Sequence, residues 1–163
     1  MTTAASSPSI TIPRWPVVAH TTGAALIGAI GLAHLLFIHV FGGEDGPDEE
    51  LINDLSARTP SPMFENGRQI TVFDLNTGYS VGMGMLGVMF AILVLVAARN
   101  APHLIARWSP FNWACTATAV FTCWIAVLYF PEPVIAFSVV GTLCFAAVLF
   151  GGTRSADYSS NAR

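Results

Sequence analysis

Four long apolar runs separated by polar stretches set the pattern of this chain. The first extends from Val17 to Phe41 and stops at Gly42-Gly43. At about 1.5 Å of rise per helical residue it reaches roughly 37 Å, enough to cross a bilayer core of about 30 Å with some tilt. Residues 42–71 form a long polar connector. Within it, Leu51, Ile52 and Leu55 are spaced as the apolar face of a short amphipathic helix over 48–57, suited to a membrane surface, and Pro60 and Pro62 break it. The second run, Val72 to Ala98, ends at Arg99-Asn100-Ala101-Pro102. Ser109-Pro110 reads as the N-cap and first-turn pair of the third, Phe111 to Phe130. Pro131-Glu132-Pro133 connects it to the fourth, Val134 to Phe150, which Gly151-Gly152 stops. The pattern predicts an all-α fold: an integral membrane four-helix bundle, up-down-up-down, with an extracytoplasmic connector between helices 1 and 2. Residues 17–152 make the membrane domain. Residues 1–16, rich in Ser, Thr, Ala and Pro, read as a disordered tail ending in the interfacial anchor Arg14-Trp15-Pro16. Residues 153–163 read as a mobile tail. A cleaved signal peptide fits poorly, because the first run far exceeds an h-region of about 7–15 residues.

Composition agrees with a membrane reading. Of 163 residues, 53% are hydrophobic and 10% charged, with a mean hydropathy of +0.60. So small a chain cannot hide that much apolar surface from water, and a bilayer removes the need. The net charge of −3 comes without a basic cluster, which argues against a nucleic-acid partner. All seven basic residues are arginine, and with the many alanines this points to a GC-rich bacterial genome and hence to the cytoplasmic membrane. Arg14, Arg99, Arg107, Arg154 and Arg163 fall on one side of the four-span topology, against Arg58 and Arg68 on the other. Positive-inside bias therefore puts both termini in the cytoplasm. The acidic connector (Glu44, Asp45, Asp48, Glu49, Glu50, Asp54, Glu65) and Glu132 then lie outside. Cys115, Cys123 and Cys144 sit in apolar runs with no CxxC or metal-ligand spacing, as small buried hydrophobes do.

Lipid supplies no hydrophobic drive between helices, so small residues mark the contacts. The second run carries two stripes. Gly78 and Gly82 continue from Asp74, while Ser80, Gly84, Gly87 and Ala91 lie about 160° away on a wheel of about 100° per residue. Gly23, Gly28, Gly31 and five alanines line the first run, and Thr118 and Thr122 the third. Helix 2 is thus expected at the centre, contacted on two sides.

Candidate chemistry gathers in Phe64–Gly87 and the end of the first run. Polar side chains at membrane depth are costly and so are functional candidates. Counted from the outer ends, His39 is level with Asp74, and His34 with Tyr79 and Ser80. With Arg68 and Asn76 these residues form a candidate ligand pocket at the outer ends of helices 1 and 2, where a histidine beside a carboxylate relays protons or orients a ligand. His34 and His39 are about 140° apart on an α-helix, so one of them is expected to face inward. Each residue also has a plain structural use: Asp74 as a cap at the positive end of helix 2, Tyr79 as an inter-helix donor, His39 at the interface. A b-type haem would need histidines facing His20 and His34, and runs two to four hold none, His103 lying in a loop. No complete catalytic set, metal site or cofactor motif emerges.

The segment Arg68-x-x-Thr71…Asp74-Leu75-Asn76-x-Gly78-Tyr79-Ser80-x-Gly82-Met83-Gly84, followed by a long span, a proline loop, a third span and Tyr129-Phe130-x-x-Pro133, resembles a group of small bacterial four-helix membrane proteins of uncharacterised activity. The likeness covers residues 17–150. In the first span it rests on a histidine and small residues, and the acidic stretch 44–57 is an addition. The resemblance implies the topology and the choice of site residues, and carries no reaction. The glycine stripes and the lack of a complete catalytic set favour the first of two functions over its alternative. One is an accessory or assembly subunit, meeting a membrane-protein partner or a second copy through its glycine stripes. The other is a small enzyme or carrier that takes a lipid or quinone-like ligand from the surrounding membrane lipids into the outer pocket.

Overall fold

The computed structural model describes residues 14–43, 46–61 and 67–153. Residues 1–13 and 154–163 of the expected tails 1–16 and 153–163, with Arg154 and Arg163, lie outside the described residues, and Trp15 and Pro16 belong to the first helix. So do Glu44, Asp45, Pro62, Phe64 and Glu65. The described chain is all-α, a helical bundle. Helix α1 (Trp15–His34) continues as a π-helical turn, Leu35–Val40. Helix α2 (Pro47–Arg58) occupies the connector, and α3 (Val72–Asn100), α4 (Pro110–Tyr129) and α5 (Glu132–Gly151) follow, with a 3-10 turn at Pro102–Ile105. Trp15–Val40, α3, α4 and α5 are each long and apolar enough to cross a membrane. The only pairing of strand type among the described residues is an antiparallel bridge, Pro60 to Thr71.

Local chemistry sets the helix starts. Pro47 occupies the first turn of α2, where its missing N–H costs nothing, and Asp48, Glu49 and Glu50 face the positive dipole end. Ser109 caps α4: its Oγ accepts from the Asn112 N–H at 3.0 Å and donates to the Leu104 carbonyl. Trp108, just before this cap, has a φ of 62°. A bulky residue in left-handed backbone is unusual, and its ring packs on Trp113 and Phe150.

Two compact units share the chain. The first comprises α4 and α5 with Trp15–Gly28 of α1 and Phe90–Asn100 of α3. Its core is Ala24, Ile27, Val94, Cys115, Ala119 and Phe145, with Phe90 and Phe111 packed against it. Close approach of α1 and α5 explains Gly23, since a methyl there would lie 3.0 Å from the Gly141 carbonyl oxygen and 3.0 Å from the Phe145 ring. Thr118 and Thr122, expected as contact residues, turn their hydroxyls onto carbonyls of their own helix. Trp15, Trp108 and Trp113 are all half-exposed at one end of this unit, near Arg14 and Arg107.

The second unit, residues 29–89, holds the end of α1, its π turn, α2 and the first part of α3. Here α1 and α3 run antiparallel and meet backbone to backbone. A methyl on Gly31 would lie 2.6 Å from the Gly84 carbonyl oxygen, and one on Gly84 would lie 2.7 Å from Leu35 Cγ. The Ser80–Gly84–Gly87 stripe is therefore the contact. Among the described residues, the expectation of contact on both sides of helix 2 is not met in its first turns. A methyl on Gly78 or Gly82 would have none of the described residues within 4 Å, because these glycines point away from the face that α1 covers. Helix α2 leaves Leu51, Ile52 and Leu55 exposed, and Arg58 pairs with Asp54 one turn back.

Candidate functional site

The Gly31–Gly84 contact brings the first half of α3 against the end of α1. One turn before Gly84 stands Ser80, within reach of the end of α1 and the π turn. The His34 Nε2 lies 2.8 Å from Ser80 Oγ, and the His39 Nε2 lies 3.0 Å from the same oxygen. The two imidazole centroids are 6.0 Å apart, with the rings at 73°. The α-helical wheel allowed only one of these histidines to face inward, and the structure turns both toward Ser80. The reason is the π turn: it closes its bonds from residue i to i+5, as Phe41 N–H does onto Leu36 C=O at 2.7 Å. The looser winding returns residue 39 toward the side that residue 34 occupies. A π turn is a poorer backbone arrangement, but here it satisfies a second imidazole in an apolar span, where an unpaired polar group is costly.

Arg68, Asp74 and Asn76 take no part in this pair of hydrogen bonds. Asp74 does not reach the histidines. Its Oδ2 accepts from the Thr71 N–H at 3.0 Å and from the Thr71 hydroxyl at 2.8 Å, while Thr71 Oγ1 accepts from the Asp74 N–H at 3.1 Å. This reciprocal pair is a capping box at the start of α3. Arg68 and Asn76 are exposed, and Tyr79 is 60% exposed. Of the seven candidates, His34, His39 and Ser80 come together.

A second polar site was missed in the sequence. His20 and Asn112 are both completely buried, with the His20 Nε2 2.9 Å from Asn112 Oδ1. Phe111 stacks on the imidazole at 6.1 Å and Phe145 meets it edge-on at 4.7 Å. The His20 Nδ1 and Asn112 Nδ2 have no partner among the described residues. Asn112 sits in the first turn of α4, where asparagine is ordinary, and so gave no signal by itself. The nearest clue was a histidine at the fourth position of an apolar run.

The His34–Ser80–His39 arrangement limits its own chemistry. A histidine within hydrogen-bond reach of a serine is the first requirement of nucleophilic catalysis. Ser80 lies inside α3, however, where neighbouring backbone N–H groups are committed to helix carbonyls and cannot form an oxyanion hole. Among the described residues no group of three or more His, Cys, Asp or Glu side chains could hold a metal ion. What remains is hydrogen-bond donation and acceptance by two imidazoles through one hydroxyl. Phe37 and Phe41, in the same stretch of chain as the two histidines, are both exposed, with centroids 6.4 Å apart. Fold and site together define a multi-pass helical membrane protein with a paired-histidine polar centre in its apolar helices. Comparisons of the chain with protein-family models, curated proteins and solved structures found no significant match.

Proposed function

We propose that this is a multi-pass protein of the bacterial cytoplasmic membrane that binds a lipophilic molecule with a hydrogen-bonding head group, a lipid or quinone-like compound, at His34, Ser80 and His39. One observation carries the reading: two imidazoles converge on a single hydroxyl through a π turn, in a stretch of chain that also exposes Phe37 and Phe41. π turns inside helices are frequent at functional sites. A head-group carbonyl or hydroxyl would exchange hydrogen bonds with these side chains, and its apolar body would lie along Phe37 and Phe41. Both termini are cytoplasmic in this reading and the spans alternate, with α2 outside. The clustering of Trp15, Trp108 and Trp113 beside Arg14 and Arg107 supports a cytoplasmic interface at that end.

Native mass spectrometry of protein purified in mild detergent tests the ligand. A retained lipophile is expected, and it should be lost in Ser80→Ala and in His34→Leu. A quinone would be told from a lipid by an ultraviolet band that changes on chemical reduction. A wild-type protein that carries nothing the variants lack would overturn the reading. The open Gly78 and Gly82 face favours a second reading, an accessory subunit that meets another membrane helix there. A polypeptide held by the wild type and released by Gly78→Leu would favour it.

A further inference from the structure

Helical serines and threonines in this protein mostly turn inward on their own backbone. The hydroxyls of Thr116, Thr118, Thr122 and Ser138 each donate to a carbonyl three or four residues earlier. Ser80 differs: its oxygen lies 2.8 Å from one imidazole nitrogen and 3.0 Å from another. A hydroxyl has one proton to give and lone pairs to receive. Two neutral imidazoles could both donate into those lone pairs, but the hydroxyl proton would then have no acceptor among the described residues. That proton finds an acceptor when one imidazole donates through Nε2–H and the other accepts at a bare Nε2, which makes the two histidines opposite tautomers. The donating ring has a bare Nδ1, and the accepting ring carries Nδ1–H.

We propose that His34, Ser80 and His39 form a proton relay along the outer end of α1, in which Ser80 passes a proton between the two imidazoles. A proton arrives at the bare Nδ1 of the donating ring. That ring releases its Nε2 proton to Ser80 Oγ, Ser80 gives its own hydroxyl proton to the Nε2 of the second ring, and the second ring releases its Nδ1 proton. One proton enters and one leaves, and every residue ends neutral. The tautomers end reversed, so the relay is then set to carry the next proton the opposite way. His34 is half-buried at the end of the regular α1 helix, and His39 is exposed five residues further along. The relay therefore joins a sheltered nitrogen to an open one about a turn nearer the helix end. It uses the same three side chains as the ligand reading but requires no ligand, so the two can fail separately.

The test is nitrogen-15 NMR of histidine-labelled, delipidated protein in nanodiscs, with His20 and His103 assigned by their glutamine variants. In the wild type, His34 and His39 are expected in opposite neutral tautomers, exchanging with each other. Ser80→Ala should slow that exchange by roughly a hundredfold, the lower range of what a positioned proton donor supplies. Ser80→Thr, which keeps the hydroxyl, should restore it to near the wild-type rate. Finding both histidines in the same tautomer in the wild type, or exchange unchanged in Ser80→Ala, would overturn the relay. A ligand lost in Ser80→Ala while the tautomers stay uncoupled in the wild type would retain the binding reading alone.

Discussion

Asn112 and His20 show how much a single buried polar pair can weigh in an apolar interior. Each is wholly buried and each is the other's partner at 2.9 Å. Removing one leaves the other's ring nitrogen or carbonyl oxygen unpaired, which costs about 1–3 kcal/mol. Membrane proteins often show less, with average inter-helix hydrogen bonds of about 0.6 kcal/mol, because the unfolded helices find other partners. Complete burial against Phe111 and Phe145 leaves little room for a replacement partner, so we expect the upper range. Asn112→Leu and His20→Leu should each destabilise the protein by about 2 kcal/mol. The double variant should cost clearly less than their sum, measured as a double-mutant cycle by denaturant unfolding in micelles. At this scale the sequence was partly legible. His34 and Ser80 announce themselves as polar side chains in apolar runs. Asp74 did so as well, but Thr71 lies three residues before it, and that spacing is a capping box before it is a pocket. Asn112 stayed hidden because asparagine in a first helical turn has a commoner explanation than a buried partner.

The elements themselves followed from apolar length and from Gly, Pro and Ser punctuation, and Ser109-Pro110 starts α4 as those residues require. The π turn at Leu35–Val40 could not be read in that way. Its residues, Leu-Leu-Phe-Ile-His-Val, suit an α-helix equally well, and the choice is made by what Ser80 offers across the contact. That contact depends on Gly31 and Gly84. Gly31→Leu should push α1 off α3 and separate both histidines from Ser80, and crosslinking by a short bis-maleimide between cysteines placed at 34 and 80 in a cysteine-free background should fall sharply. Thr71→Ala removes the cap of α3 and should lower stability by about 1 kcal/mol while leaving that crosslink intact. The two outcomes separate a helix end from a helix contact.

For the whole molecule, four apolar spans were legible from length alone, since a bilayer of fixed thickness admits few alternatives. Which faces meet was less so, because glycine serves both close contacts and open faces. A methyl on Gly84 would strike Leu35, while one on Gly82, two residues away on the same helix, would meet none of the described residues. Orientation rests on where the arginines fall, and it can be measured. In a cysteine-free protein, Asp48→Cys in α2 is expected to react with a membrane-impermeant maleimide added to intact cells. Arg99→Cys at the far end of α3 is expected to react only after the cells are opened. The reverse pattern would invert the topology and place the His34–Ser80–His39 centre near the cytoplasm.

The π turn also has a consequence for descent. An α-helix that gains one residue can absorb it as a π turn without shifting what comes before it. A lineage that lost any one residue between 35 and 40 would keep an intact span, and lipid would hardly notice. It would, however, rotate His39 out of reach of Ser80. A gap of one residue here, in any relative, should travel with the loss of histidine at that position. Selection on the pair would then be visible as the absence of such gaps wherever both histidines survive.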